Sequence, residues 1–104
     1  MGGVVVLDVS NPAKPVKVSE ITLGKDQFTH WLAWDEAGSR IILNSGGSDS
    51  RLFMLHFDRS SGRLTVDDAF RNPDSSRPGF SLTNLSLPNG FRGTAFPHGA
   101  VFSR

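Results

Sequence analysis

Two histidines in matching sequence contexts are the residues of this chain best suited to chemistry. His30 lies in the segment THWLAW (29–34), and His98 lies in PHGAVF (97–102). Neutral imidazole is a common ligand of zinc, copper and iron, so the pair predicts two ligands of a metal site. Zinc takes about three or four protein ligands, so the others would come from outside this chain. The alternative is structural: each imidazole would bond the backbone where a strand begins.

The remaining polar motifs favour structural roles. His56 lies within a predicted strand, where we expect a structural hydrogen bond or an exposed position. The acidic pairs Asp35-Glu36 and Asp67-Asp68 are adjacent in sequence. Neighbouring strand residues point to opposite faces of a sheet, so neither pair predicts a general acid–base couple.

Motifs for phosphate binding and for serine hydrolases are absent from the sequence. The Gly- and Ser-rich segment 45–50 lacks the Gly-Lys-Ser/Thr of a phosphate-binding loop, which also requires a following helix. No Gly-x-Ser-x-Gly motif of a nucleophile elbow occurs. The catalytic residues are therefore unassigned, and no residue is predicted to bind an organic cofactor.

The elements that would position the histidines are β-strands, and the predicted fold class is all-β. Glycine and proline interrupt the chain every few residues, and β-branched and aromatic residues cluster between them, as is typical of strands and turns. Residues 72–93 form a long Pro-, Ser- and Asn-rich loop, of the kind that is usually functional or disordered. The predicted strands are Val4–Val9, Val16–Leu23, Thr29–Trp34, Arg40–Asn44, Leu52–Phe57, Leu64–Phe70 and Gly99–Ser103.

Several predicted strands are apolar at consecutive positions, as in the runs 4–7, 41–43 and 52–55. A strand with one solvated face would alternate apolar and polar residues, so a continuous apolar run predicts that both faces are covered. Because no segment has helical periodicity, the covering layers are predicted to be other sheets.

An internal repeat indicates what those sheets are. The segment 4–9 aligns without a gap on 52–57, the turns 10–15 and 58–63 are then equal in length, and 16–18 falls on 64–66. This offset of about 48 residues lies within the blade period of β-propellers. A propeller blade is a four-stranded antiparallel meander whose faces are buried by its neighbours.

The sequence therefore predicts a partial β-propeller of about one and a half blades. Residues 1–24 would be the outer two strands of one blade, 25–71 a complete blade, 72–96 a long irregular loop, and 97–104 the first strand of the following blade. A closed propeller takes roughly four to eight blades. We therefore expect the partners to be the missing blades of a parent propeller, or self-association through exposed blade faces.

Two segments carry a family resemblance. Residues 4–16 resemble the LVIVD repeat, in which a strand is followed by Asp-Val-Ser-Asn-Pro-x-x-Pro. Residues 29–42 resemble a blade start of YVTN/lactonase-type and selenium-binding-protein-like propellers. The resemblance implies a divalent metal in the full-length parent, with His30 and His98 among its ligands. By analogy with 97–99, Asn89 stands at the position of the histidine in a further Pro-His-Gly motif. A histidine ligand at that position would therefore be missing from this chain.

Composition excludes several classes of partner. The formal net charge is +1 and the charges are scattered, so no nucleic-acid interface is predicted. No wholly apolar run is longer than 4–7, which is far short of the ~20 residues of a membrane helix. Met1-Gly2-Gly3 leads directly into a strand without a signal peptide, and we expect this start to lie inside a longer protein. The compartment is not predicted.

The function expected from these features is a binding or scaffold fragment of a β-propeller, with its ligand unassigned. The alternative is part of a metal- or His-dependent propeller enzyme that acts on a small molecule at the central channel. A protein-interaction platform is a third class, because propellers host all three. For this fragment alone, no activity is expected.

Overall fold

The computed structural model describes residues 2–103, which form β-strands and turns without a helix. The six main strands are β1 (Gly2–Asp8), β2 (Val16–Gly24), β3 (Phe28–Asp35), β4 (Arg40–Gly46), β5 (Arg51–Asp58) and β6 (Arg63–Val66). Three additional two-residue strands lie in the 72–93 region: β7 (Phe80–Ser81), β8 (Leu85–Ser86) and β9 (Arg92–Gly93). The all-β prediction is confirmed, and no helix in the described residues could cross a membrane.

The strands form two principal antiparallel sheets. β1 and β2 pair as a hairpin, and β3, β4, β5 and β6 pair in sequence order as a meander, which confirms the predicted four-stranded meander. β6 pairs with the C-terminal half of β5, and β7 pairs with its N-terminal end. β8 and β9 form a small separate hairpin.

Apolar packing between the hairpin and the meander creates the core. In β4 and β5, alternate residues such as Leu43, Phe53 and Leu55 point to the same face, because side chains alternate across a strand. These residues are buried together with Leu64 of β6. The inward residues of the hairpin, Val4, Val6, Ile21 and Leu23, pack against them.

The turn from β5 to β6 is organised by one carboxylate. Asp58 Oδ1 accepts a hydrogen bond from the Ser60 N–H at 2.9 Å, and the Ser60 and Ser61 hydroxyls donate to the same carboxyl group at 2.7 and 2.8 Å. These bonds lower the pKa of Asp58 to about 2. The β1–β2 turn spans 9–15, whereas this turn spans only 59–62, so the prediction of equal turn lengths is wrong.

β6 is shorter than predicted because its C-terminal end enters a turn. The Asp67 carboxylate accepts the Ala69 N–H, and the Phe70 N–H donates to the Asp67 carbonyl. These local bonds replace strand pairing, so β6 ends at Val66 instead of Phe70.

The 72–93 region is tied to the meander by side-chain hydrogen bonds. The Asn72 side chain accepts the Ser81 N–H and donates to the Ser81 carbonyl. Arg51, buried at the start of β5, donates to the Gly79 carbonyl at 3.0 Å and to the Asp49 carboxylate at 2.8 Å. The Asn72 bonds lie within this region, and the bonds from Arg51 to the Pro78 and Gly79 carbonyls hold it beside β5, where β7 adds to the sheet.

The predicted strand Gly99–Ser103 does not form in the described residues. Residues 97–102 instead cross the meander face opposite the core, where Trp31 and Asn44 lie as cross-strand neighbours. The Trp31 indole donates to the Ala100 carbonyl, and the Asn44 amide donates to the Pro97 carbonyl. Side chains thus hold this segment to the sheet. Its backbone forms no ladder of hydrogen bonds with a neighbouring strand in the described residues, so the segment is not a strand.

The core position Leu55, which has no solvent exposure, supports a test of the packing. Leu55→Ala should lower the free energy of unfolding by about 2–5 kcal/mol, because the removed methyl groups leave a cavity. Val101→Ala is the control, since Val101 is 84% exposed, and should change stability by less than about 0.5 kcal/mol. Urea unfolding of the two variants measures this; equal losses would contradict the assigned core.

Candidate histidine site

His30 lies in an irregularity of β3. The pairing of β3 with β4 passes from Thr29 opposite Ser45 to Trp31 opposite Asn44, so His30 is an extra residue without an opposite partner. Such β-bulges bend the strand and redirect a side chain, and they are frequent beside functional sites. The Thr29 hydroxyl donates to the Gly3 carbonyl of β1 at 2.9 Å and anchors the bulge to the neighbouring hairpin.

Two hydrogen bonds, one on each side of His98 in the chain, hold the backbone around this residue. The Asn44 Nδ2 atom lies 2.5 Å from the Pro97 carbonyl oxygen, and the Trp31 Nε1 atom lies 3.3 Å from the Ala100 carbonyl oxygen. Further along the segment, the Arg40 guanidinium lies 5.1 Å from the centroid of the Phe102 ring. His98 therefore stands on a segment that is fixed at both ends.

The two imidazoles lie side by side. The ring centroids of His30 and His98 are 4.9 Å apart, and the ring planes meet at 61° in an edge-to-face arrangement. The sequence placed these histidines 68 residues apart, and the fold brings them into contact. Two imidazoles are suitable donors for zinc, copper or nickel. Residues 2–103 contain no group of three or more candidate metal-ligating side chains, so the described chain offers two donors.

A cleft of about 260 Å³ lies next to His30, between β1 and β3. Its volume is below the range of about 300–1,000 Å³ that is usual for small-molecule sites. Apolar residues form much of its wall, including Val4 of β1, Leu32 of β3 and Leu43 of β4. By its volume, the cleft suits a small ligand better than a large one.

Buried polar residues surround the same end of the meander, and sequence analysis did not identify them. Asn44 and Ser45 are buried where β4 ends, and Gln27 is buried just before β3. The Ser45 hydroxyl bonds to the Gln27 side chain, whose Nε2 atom donates to the Asp49 carbonyl at 3.1 Å. The available signal was the polar pair Asn44-Ser45 directly after the apolar run 41–43.

The third histidine, His56, is separate from this pair. Its Nε2 atom lies 3.1 Å from Asp67 Oδ2, and both side chains are partly exposed. Arg40 and Thr65 lie opposite His56 on the neighbouring strands. The His56 hydrogen bond is the main cause that lowers the pKa of Asp67. The contact links β5 to the turn after β6.

The acidic neighbours Asp35 and Glu36 have separate partners. Asp35 accepts two hydrogen bonds from Arg40 at 2.6 and 2.9 Å, and these bonds lower the pKa of its carboxyl group. Glu36 lies 3.5 Å from Arg59 on an exposed surface. The Asp35 and Glu36 carboxylates therefore bond to different cations.

Comparison with known proteins gives no match: no family model, no curated protein and no solved structure is similar to this chain.

The His56–Asp67 contact generates a prediction about pH. His56→Phe removes the bond that stabilises the ionised carboxylate, so the pKa of Asp67 should rise toward its ordinary value of 3.8. A lowered carboxyl pKa adds stability above the ordinary value, and this stability is lost as the pH falls through the folded value. The variant should therefore lose less stability on acidification below about pH 4.

Carbon-13 NMR titration of the carboxyl groups in the wild type and in His56→Phe measures this change. Asp58 is the internal control, because its pKa of about 2 is set by Ser60 and Ser61 and should not move. An unchanged Asp67 pKa in the variant would contradict the assigned contact.

Proposed function

We propose that this chain contributes about one and a half blades to a β-propeller that serves as a binding scaffold. The observation that carries the proposal is the outward face of the β1–β2 hairpin. Val5 and Leu7 on this hairpin are 48% and 51% exposed. Exposed apolar surface of this kind marks an interaction site.

The inner face of the same hairpin supports a blade-like role. Val4 and Val6 pack against the meander core, while Val5 and Leu7, which alternate with them, point away from it. Sheets that are apolar on both faces need a second covering layer. A further blade against the outer face would supply that layer in the way that the meander supplies the first.

The free edge of β1 supports the same proposal. In the described residues β1 pairs with β2 alone, so its other edge carries backbone groups without a strand partner. A propeller blade has four strands, and two further strands would complete the β1–β2 sheet on this side. Unpaired edges and exposed apolar faces together favour assembly with other blades.

Association of the full chain in solution tests this proposal. The double variant Val5→Lys, Leu7→Lys should weaken self-association about 10-fold or more, since each buried aliphatic side chain contributes about 1.5 kcal/mol or more. Val101→Lys is the control, because Val101 is 84% exposed and lies outside the hairpin.

Sedimentation velocity and binding of an apolar dye, over a range of protein concentrations, are the measurements. Concentration-dependent association of the wild type that the double variant alone loses supports the assignment of the hairpin face. A monomeric wild type that binds no dye would overturn it. Equal loss in the control would assign association to a different surface.

A second candidate function is favoured by the contact between His30 and His98. Their donor chemistry fits a divalent transition metal, and they would hold it as two of its ligands, with other ligands supplied by further blades. When bound, such a metal supplies a Lewis acid that polarises a carbonyl group or activates water. The chain would then be part of an enzyme that acts at the propeller channel.

Titration with Co²⁺, followed by its visible absorption, tests the second candidate. The wild type should bind one equivalent, and His30→Ala and His98→Ala should each weaken binding at least about 10-fold, because each removes one of two imidazole donors. His56→Ala is the matched control and should bind as the wild type does. Equal affinity in all four proteins would overturn the metal assignment.

A further inference from the structure

Asn44 is an unusual occupant of its position. It follows the apolar run 41–43 of β4 and is only 2% exposed. Its Nδ2 atom donates to the Pro97 carbonyl, while its Oδ1 atom is buried without a hydrogen-bond partner in the described structure. An unpaired buried acceptor is destabilising, so an apolar residue would suit the sheet better. The amide is therefore better explained by the contact it makes than by the stability of the sheet.

That contact lies next to His98. Pro97 immediately precedes this histidine, and Asn44 is the only side chain in the described residues that donates a hydrogen bond to the Pro97 carbonyl. The segment has no backbone ladder to hold it. The position of the His98 ring consequently depends on side-chain bonds to the neighbouring backbone.

The cross-strand neighbour of Asn44 connects the same point to His30. Trp31 lies opposite Asn44 in the β3–β4 pairing and directly follows His30 in the bulge. Its indole donates to the Ala100 carbonyl, two residues after His98. One cross-strand pair thus fixes the backbone on both sides of His98 and adjoins His30.

We propose that Asn44 is the positioning residue of the histidine pair, acting through the Pro97 carbonyl to hold the His98 imidazole against His30. The functional meaning of this role rests on the proposed metal function. The positioning itself is a property of the metal-free chain. Asn44 does not touch a ligand in this role; it sets the separation of the two donors.

The experiment uses the whole chain with Asn44→Leu and Asn44→Ala. Leucine removes both the donor and the unpaired acceptor and suits a buried position. Alanine also removes the amide and adds no group that could bind a metal. The matched control is Asn72→Leu, which removes a similar bond from an asparagine amide to a backbone carbonyl, that of Ser81.

The first readout is the NMR cross-relaxation between the ring protons of His30 and His98 in the absence of metal. Rings with centroids 4.9 Å apart should give a clear signal in the wild type and in Asn72→Leu. The signal should be lost in both Asn44 variants. Cross-strand signals between Ile42 and Met54, which are opposite each other in β4 and β5, report whether the meander is intact.

The second readout is Zn²⁺ affinity, which should fall by about 10- to 100-fold in the Asn44 variants, as is usual when a group that orients a ligand is removed. Persistence of the ring signal in a folded Asn44→Leu, its loss in Asn72→Leu, or its absence from the wild type would each overturn the proposal. If the wild type binds no Zn²⁺ but the ring signals change as expected, positioning stands and the metal function alone fails.

Discussion

Burial of apolar sheet faces against one another is the constraint on which the rest of this structure depends. The described residues form no helix, and the core face of β4 and β5 is covered by another sheet. The β1–β2 hairpin supplies one cover, and Leu43, Phe53, Leu55 and Leu64 become the core as a result. The outer face of the hairpin is also apolar but is not covered, and Val5 and Leu7 remain about half exposed there. This unfinished burial is the physical basis for proposing that further blades complete the assembly.

The opposite face of the meander is covered by an irregular segment and not by a sheet. Residues 97–102 lie across it without strand pairing, and side chains provide the bonds that a ladder would otherwise supply. A bond from a side chain holds one point of the backbone, whereas a ladder fixes every second residue. The position of His98 therefore depends on Asn44 and Trp31 individually.

A bulge in β3 and the segment 97–102 together bring the two histidines into contact. The bulge redirects the His30 side chain, and the segment places His98 beside it, with the ring centroids 4.9 Å apart. Two imidazoles can share a metal only when other ligands join them, since zinc takes about three or four from the protein. The further blades that we propose to cover the hairpin could also supply those ligands, so the scaffold and the metal-site proposals are compatible.

The all-β class, the four-stranded meander and the positions of the six main strands, to within a few residues, were predictable from local sequence patterns. They were predictable because the alternation and runs of apolar residues and the placement of glycine and proline act locally. The sequence also singled out His30 and His98 by their matching contexts. Three features could not be predicted in this way: the two rings meet, 99–103 forms no strand, and Asn44 is buried with an unpaired oxygen. Each of these features depends on contacts between residues far apart in the chain, and no local pattern encodes which distant backbone carbonyl a buried amide will reach.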